Sequence, residues 1–225
     1  MITSAANPRL KLIRRLESRR QRARLGLFVC EGEDLVDAAV AAGIEPADLL
    51  VAGDDVEPEL LAAVSSLAHP PRVIGVFRRG DLPPYEPRPA ALALWHVADP
   101  GNVGTLIRTA DAFGAAVALS DGCADPTGTK ALRGSAGAIF RVPLGRFDEP
   151  SGRRVALVAR EGVPLADANL GEGTVFVLGA ERDGLPADVV ASCDGVVSIP
   201  LADGAESLNV AVAGAIALYE WSRRL

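Results

Sequence analysis

Residues 91–119 read ALALWHVADPGNVGTLIRTADAFGAAVAL, and their pattern decides the class of fold. A run from Ala91 to Val97, apolar but for His96, gives way to a turn holding Asp99, Pro100, Gly101 and Gly104. A helical stretch near 103–113 and a second apolar run from Ala115 to Leu119 follow. Continuous rather than alternating apolar strands belong to sheets covered on both faces, and two such strands joined by a helix are the unit of a parallel sheet. The alternation continues downstream. Val155–Val158, Thr174–Leu178 and Gly195–Ile199 read as strands, with helices expected at 129–136, 186–192 and 208–221. An α/β layer fold is therefore expected over residues 90–225.

Upstream, Asp81 to Pro89 carries four prolines in nine residues, which neither a helix nor a sheet interior accepts, and reads as an interdomain linker. Residues 1–80 form a smaller α/β unit. Asn7 and Pro8 open a helix as cap and first residue. Strands at Leu27–Cys30, Leu49–Val51 and Arg72–Val76 then alternate with helices at Glu33–Ala42 and Pro58–Leu67.

The 225 residues are 49% hydrophobic and 23% charged, a globular mix. Cys30, Cys123 and Cys193 lie far apart with no CxxC pair, so a reducing compartment, the cytoplasm, is expected rather than a disulfide framework. The apolar stretch that includes Val210 to Ile216 contains a glycine and falls far short of the ~20 residues of a membrane span. Net charge is −6, yet residues 1–24 carry eight basic side chains against Glu17 alone, a local +7 that leaves −13 on the remainder. Such a run is either a solvated amphipathic helix or a salt-sensitive contact for a polyanion.

Common nucleotide fingerprints fail by position. Gly171 and Gly173 meet Phe176 where G-x-G-x-x-G requires a third glycine, and no G-x-x-x-x-G-K-[ST] exists. His69 and His96 are the only histidines and neither has a partner at ligand spacing, so no metal is expected and a histidine triad has no base. Three polar segments remain, each at the carboxyl end of an expected strand, where open parallel sheets hold ligands. Asp99 to Gly114 is one: a glycine turn with Asn102 as an expected cap, free N–H groups near Val103 for an anion, and Arg108 on another helical face. The second, Val175 to Pro186, breaks at Gly179 with Glu181 beyond it. In the third, Ile199 to Gly214, a turn holding Ser207 and Asn209 leads into a helix apolar on all sides, which must be buried in a core or an interface.

Together, in this order, the segments resemble the SpoU (TrmH) branch of the SPOUT RNA methyltransferases. That family reads D-P-x-N-x-G-x-x-x-R-x-A-x-A-F-G, then G-x-E-x-x-G-L, then I-P-x-x-x-x-x-E-S-L-N-V-x-V-A, and the chain satisfies all three. Residues 130–143 look like the linking segment between the first two. FVCEGEDLVDAAVAAG at 28–43 is similar to the signature of the ribosomal-protein-like RNA-binding domain often fused ahead of it. One departure is Ala180, where asparagine or serine is commoner, and it touches a single local polar contact.

The resemblance implies transfer of a methyl group from S-adenosylmethionine to a ribose 2′-hydroxyl of structured RNA, with ribosomal RNA favoured over transfer RNA. It also implies a deep trefoil knot in a SPOUT domain at 90–225 and a homodimer that completes each site across its interface. Leu178, Gly179, Ile199, Leu201 and Leu208 fall at the cofactor positions. Arg108 matches the family's catalytic arginine, and Asn102, Glu181, Ser207 and Asn209 match supporting positions. With this in view the basic segment reads as an RNA-docking element through Arg9, Lys11, Arg14, Arg15, Arg19, Arg20 and Arg22. Two other readings stay open: a SPOUT enzyme that methylates a base or a different RNA class such as transfer RNA, and an RNA-binding or ribosome-assembly factor without turnover.

Overall fold

Seven strands, every neighbouring pair parallel, make the larger of two sheets in the computed structural model, which describes residues 1–224. They are β4 (Ala90–Leu94), β5 (Ala116–Leu119), β6 (Leu144–Arg146), β7 (Arg153–Val158), β8 (Val163–Pro164), β9 (Thr174–Leu178) and β10 (Gly195–Ser198), in the spatial order β6-β5-β4-β9-β7-β10-β8. Helices α5 (Pro100–Ala112), α6 (Thr129–Ser135), α7 (Ala187–Ala191) and α8 (Val210–Ser222) connect and cover them. The α/β class and the parallel sheet are as the sequence predicts. The edge strands β6 and β8 were not expected, because two or three residues carry no readable period. β4 stops at Leu94 rather than Val97, since His96 takes φ +53 and turns the chain out of the sheet.

The N-terminal unit comprises α1 (Pro8–Leu16), α2 (Arg19–Leu25), β1 (Leu27–Glu31), α3 (Glu33–Ala41), β2 (Asp48–Val51), α4 (Pro58–Ala62) and β3 (Val73–Arg78). Its sheet is antiparallel, in the order β1-β3-β2. Asn7 caps α1 by accepting from the Arg9 N–H at 2.9 Å, and extended Ser18 separates α1 from α2. The helix expected to run to Leu67 ends at Ala62. Serine competes for hydrogen bonds outside helices, and here Ser66 donates through its hydroxyl (2.7 Å) and its N–H (2.9 Å) to the buried carboxylate of Glu31, which Ser65 also meets.

The two units share one core. Phe28 from the small sheet stacks on Phe77 beside it and on Phe140 beyond α6, Phe77 and Phe140 being tilted to each other, with ring centroids 5.9–6.4 Å apart, and the buried cluster continues to Trp221 in α8. Burial of each such ring contributes about 2–3 kcal/mol. A buried ion pair joins the units as well: Arg22 Nε and Nη2 each lie 2.9 Å from Asp125 Oδ2, and Arg79 approaches Oδ1 at 3.3 Å.

Candidate active site

In an open parallel sheet the carboxyl ends of adjacent strands leave a crevice for a ligand, and β9, β7 and β10 stand next to one another here. A cleft of about 350 Å³ opens beyond them. Its walls are Leu157, Val158 and Ala159 at the end of β7, Leu178 and Gly179 at the end of β9, Ile199 and Leu201 after β10, and Ser207, Leu208 and Asn209 ahead of α8. All five residues expected at a cofactor line this one cleft, together with Glu181, Ser207 and Asn209. Leu157, Val158 and Ala159 were missed, although a strand expected at Val155–Val158 already placed its carboxyl end beside the others.

Glycine is required where the cleft bends. After Gly179 the chain doubles back so tightly that Ala180 and Gly184 exchange two backbone hydrogen bonds, 3.1 and 3.0 Å long. A Cβ on Gly179 would stand 2.3 Å from the Gly184 carbonyl carbon, and Gly184 itself holds φ +66.

The three polar segments meet through side chains. Asn102 donates from Nδ2 to Glu181 Oε1 at 3.0 Å and accepts at Oδ1 from Asn209 Nδ2 at 3.0 Å. Glu181 also accepts from the backbone N–H groups of Asp99 (3.1 Å) and Ala98 (3.2 Å). Asn209 in turn caps α8, its Oδ1 accepting from Ala211 and Val212. A carboxylate only accepts, so each amide has one orientation that satisfies the whole chain of bonds. Burial pushes the Glu181 carboxyl up, but the Asn102 amide and the backbone donors outweigh it and hold the group below its ordinary value.

Asp99, not Asn102, caps α5. Its Oδ1 accepts from Gly101 (2.7 Å) and Asn102 (3.0 Å), with Pro100 next and Lys130 Nζ 2.8 Å from Oδ2. The Lys130 ammonium, then the backbone donors, lower the Asp99 pKa. This corrects two expectations: the helix begins three residues earlier than Val103, and its first N–H groups are already engaged by a carboxylate rather than open to an anion. Asn102 is thereby freed to bridge the segments. Gly104 lets α6 approach, since a Cβ there would meet Ala131 O at 2.3 Å.

Arg108 is exposed on α5, outside the cleft lining, and makes no side-chain hydrogen bond or ion pair among the described residues. Six residues beyond Asn102 it is about 9 Å further along the axis and on another face. Within one chain, then, Glu181, Ser207 and Asn209 line the cleft, Asn102 is bonded to two of them from beside it, and Arg108 is not among them.

The basic N-terminal residues divide. Arg22 is 6% exposed, and its remaining nitrogen donates to the carbonyls of Leu16 (2.9 Å) and Glu17 (2.8 Å), so it is committed to the interior and removed from the RNA-facing set. Arg9 is paired with Asp48, and the hydrogen bond between them raises its pKa. Arg19 donates to the Cys123 carbonyl at 3.0 Å, while Lys11, Arg14, Arg15 and Arg20 are exposed. Among the described residues no group of three or more His, Cys, Asp or Glu could hold a metal, and no helix is long and apolar enough to cross a membrane.

Residues 89–219 match the SpoU rRNA Methylase family, and residues 7–78 match the MRM3-like substrate binding domain. The 23S rRNA (guanosine(2553)-2′-O)-methyltransferase RlmP of Bacillus subtilis is 33% identical over 97% of this chain and 97% of its own. An uncharacterized tRNA/rRNA methyltransferase of Synechocystis sp. is 32% identical over 99% of this chain and 93% of its own. The AdoMet-bound rRNA methyltransferase from Sinorhizobium meliloti superposes with a TM-score of 0.89 at 29% identity, covering 100% of this chain and 97% of that one.

Proposed function

Since the chain belongs to the SpoU rRNA methylase family, we propose that it methylates a ribose 2′-hydroxyl of ribosomal RNA with S-adenosylmethionine. The observation that carries this reading is the convergence of Leu178, Gly179, Ile199, Leu201 and Leu208, from three separate segments, on one cleft. The residues fit the group. The cleft is within the ~300–1,000 Å³ of small-molecule sites, and its leucine and isoleucine walls suit an adenine while Glu181, Ser207 and Asn209 supply polar ends. Bound there, S-adenosylmethionine supplies an electrophilic methyl group on a sulfonium.

The chain's own residues then position the nucleophile. Asn102, held between Glu181 and Asn209, presents a rigid polar edge beside the cleft. Arg108 is assigned to a phosphate and the 2′-hydroxyl: a guanidinium offers a fixed fork of donors and no acceptor, so its contribution is charge and orientation rather than proton removal. Because Arg108 lies away from the cleft of its own chain, the reading includes a homodimer. Exposed residues of two helices that pack on each other, Arg108 and Ala112 of α5 with Val212 (47% exposed) and Tyr219 (56%) of α8, support it as the docking face. A second copy on that face brings the arginine of one subunit to the cleft of the other.

The domain division belongs to the same reading: residues 1–80 bind RNA, 81–89 link, and 90–225 catalyse, supported by family matches at 7–78 and 89–219. So does the knot, for which the return of the chain after β10 to Asn102, through Asn209, is the supporting contact. The cytoplasm, where thiols stay reduced, is the proposed compartment. Calorimetric titration with S-adenosylmethionine tests the proposal: one site per chain, with labelled methyl groups then entering ribosomal RNA, is expected. A chain that binds no cofactor overturns it.

A further inference from the structure

Beside the cofactor cleft, and sharing Ala180, Glu181, Arg182 and Gly184 with it, lies a wider opening of about 960 Å³ that Trp95 and His96 line. The two rings are stacked, centroids 4.6 Å apart and planes within 3°. In this arrangement His96 adopts φ +53, in the left-handed region that side chains other than glycine seldom enter. Both rings are held. The edge of Phe147 meets Trp95 at 5.1 Å, the His96 N–H donates to Ser120 Oγ at 2.9 Å, and Gly122 leaves just enough room for the imidazole, since a Cβ there would stand 2.5 Å from it. His96 is exposed, so this conformation contributes no core packing. A strained backbone that presents a fixed aromatic surface to solvent is characteristic of a ligand contact.

The chemistry of the lining selects the ligand. Three carboxylates, Asp99, Glu181 and Asp183, border the opening against Arg182 and the Lys130 ammonium paired with Asp99, a net negative balance that does not attract phosphate. A nucleobase is uncharged, has a face to stack and, in most cases, amino or imino hydrogens that a carboxylate accepts. We propose that this opening holds one unpaired base of the RNA substrate, stacked on the Trp95–His96 pair, next to the nucleotide whose ribose is methylated. The proposal rests on the RNA methyltransferase reading and adds to it a contact that selects single-stranded over paired RNA at the target.

Tryptophan fluorescence tests it directly. The chain has two tryptophans, and Trp221 is 3% exposed with its indole N–H bonded to the Gly171 carbonyl, so a change on adding RNA reports Trp95. The full-length protein, already saturated with S-adenosylmethionine in a separate calorimetric measurement, is titrated with hexaadenylate and with an abasic ribose-phosphate hexamer of the same charge. Saturable quenching by the first and none by the second is expected. His96→Gly suits the positive φ and keeps the fold. It should bind hexaadenylate roughly tenfold more weakly, the size of one base–aromatic stack, and raise the KM for RNA while kcat and cofactor affinity hold. Trp95→Phe should abolish the quenching and keep RNA affinity within a few-fold. Equal quenching by the abasic strand, or unchanged affinity in His96→Gly, overturns the base site while leaving cofactor binding intact. Failure of the calorimetric step instead overturns the methyltransferase reading.

Discussion

The side-chain amide of Asn209 donates a 3.0 Å hydrogen bond to the side-chain oxygen of Asn102, 107 residues earlier in the chain. Each residue sits in the first turn or at the cap of a helix, so the bond ties the start of α8 to the start of α5. Glu181, from the loop after β9, closes the set by accepting from the same Asn102. Three segments that look independent along the sequence therefore form one polar unit at the edge of the cleft, and its disruption should be felt at the chemistry more than in the core.

Asn102→Asp removes the only donor from this side chain to Glu181 and sets a second carboxylate against the first. Loss of the bridge is expected to cost about 1–2 kcal/mol in urea unfolding and to raise the pKa of Glu181. Methyl transfer should fall at least tenfold with a smaller change in cofactor affinity, because Asn102 does not line the cleft. A variant with wild-type kcat would show that the bridge is idle.

Gly179→Ala drives a methyl group into the Gly184 backbone. Backbone has less freedom to yield than a side chain, so a loss of about 1–3 kcal/mol in stability is expected. Displacement of the turn should weaken S-adenosylmethionine binding more than tenfold by calorimetry, whereas Gly171→Ala, with nothing within 4 Å of its added carbon, should bind normally.

Stability should depend on pH through Asp125. Burial pushes this carboxyl up, but Thr127 and the guanidinium groups of Arg79 and Arg22 outweigh it and leave the pKa below the usual carboxylate value. A folded-state pKa below that of the unfolded chain gives stability present above about pH 4 and lost as pH falls through the folded value. Asp125→Asn leaves Arg22 buried without a counter-charge and should destabilise the protein by about 3 kcal/mol at pH 7. The gap from wild type should narrow from pH 5 downward, as Tm measured across that range will show; a constant gap would remove the ion pair from the account.

Association with RNA should be salt-dependent through the exposed basic residues. Replacing Lys11, Arg14, Arg15 and Arg20 by glutamine is expected to weaken binding and to flatten the dependence of log K on log salt by up to about 3, near 0.7 for each phosphate that is no longer neutralised. Filter binding at several salt concentrations measures the slope, and an unchanged slope would place the RNA elsewhere.

The apolar runs of the strands were legible because burial on both faces leaves few polar positions to blur them, and the five residues that the family motifs place at a cofactor follow those strands and line one cleft. The cap of α5 was misread at Asn102, since aspartate and asparagine are equally good caps and nothing local says that Asn102 is needed by Glu181 and Asn209. Arg22 carries no sequence mark that separates it from Arg20. Its burial depends on Asp125, more than 100 residues away, and long-range pairing of this kind is invisible to a local reading. Trp95 and His96 read as the end of a strand, because a positive φ at a residue other than glycine has no signature in composition.

Transfer of labelled methyl from S-adenosylmethionine to ribosomal RNA lacking the modification, followed by digestion to nucleosides, tests the central claim most directly, with Arg108→Ala alongside. Arg108 is exposed and without a partner among the described residues, so the variant should unfold within about 0.5 kcal/mol of wild type and its activity can be compared fairly. The account predicts label in a 2′-O-methylnucleoside from the wild type and almost none from Arg108→Ala. Label in a methylated base, or equal incorporation by both proteins, would contradict it.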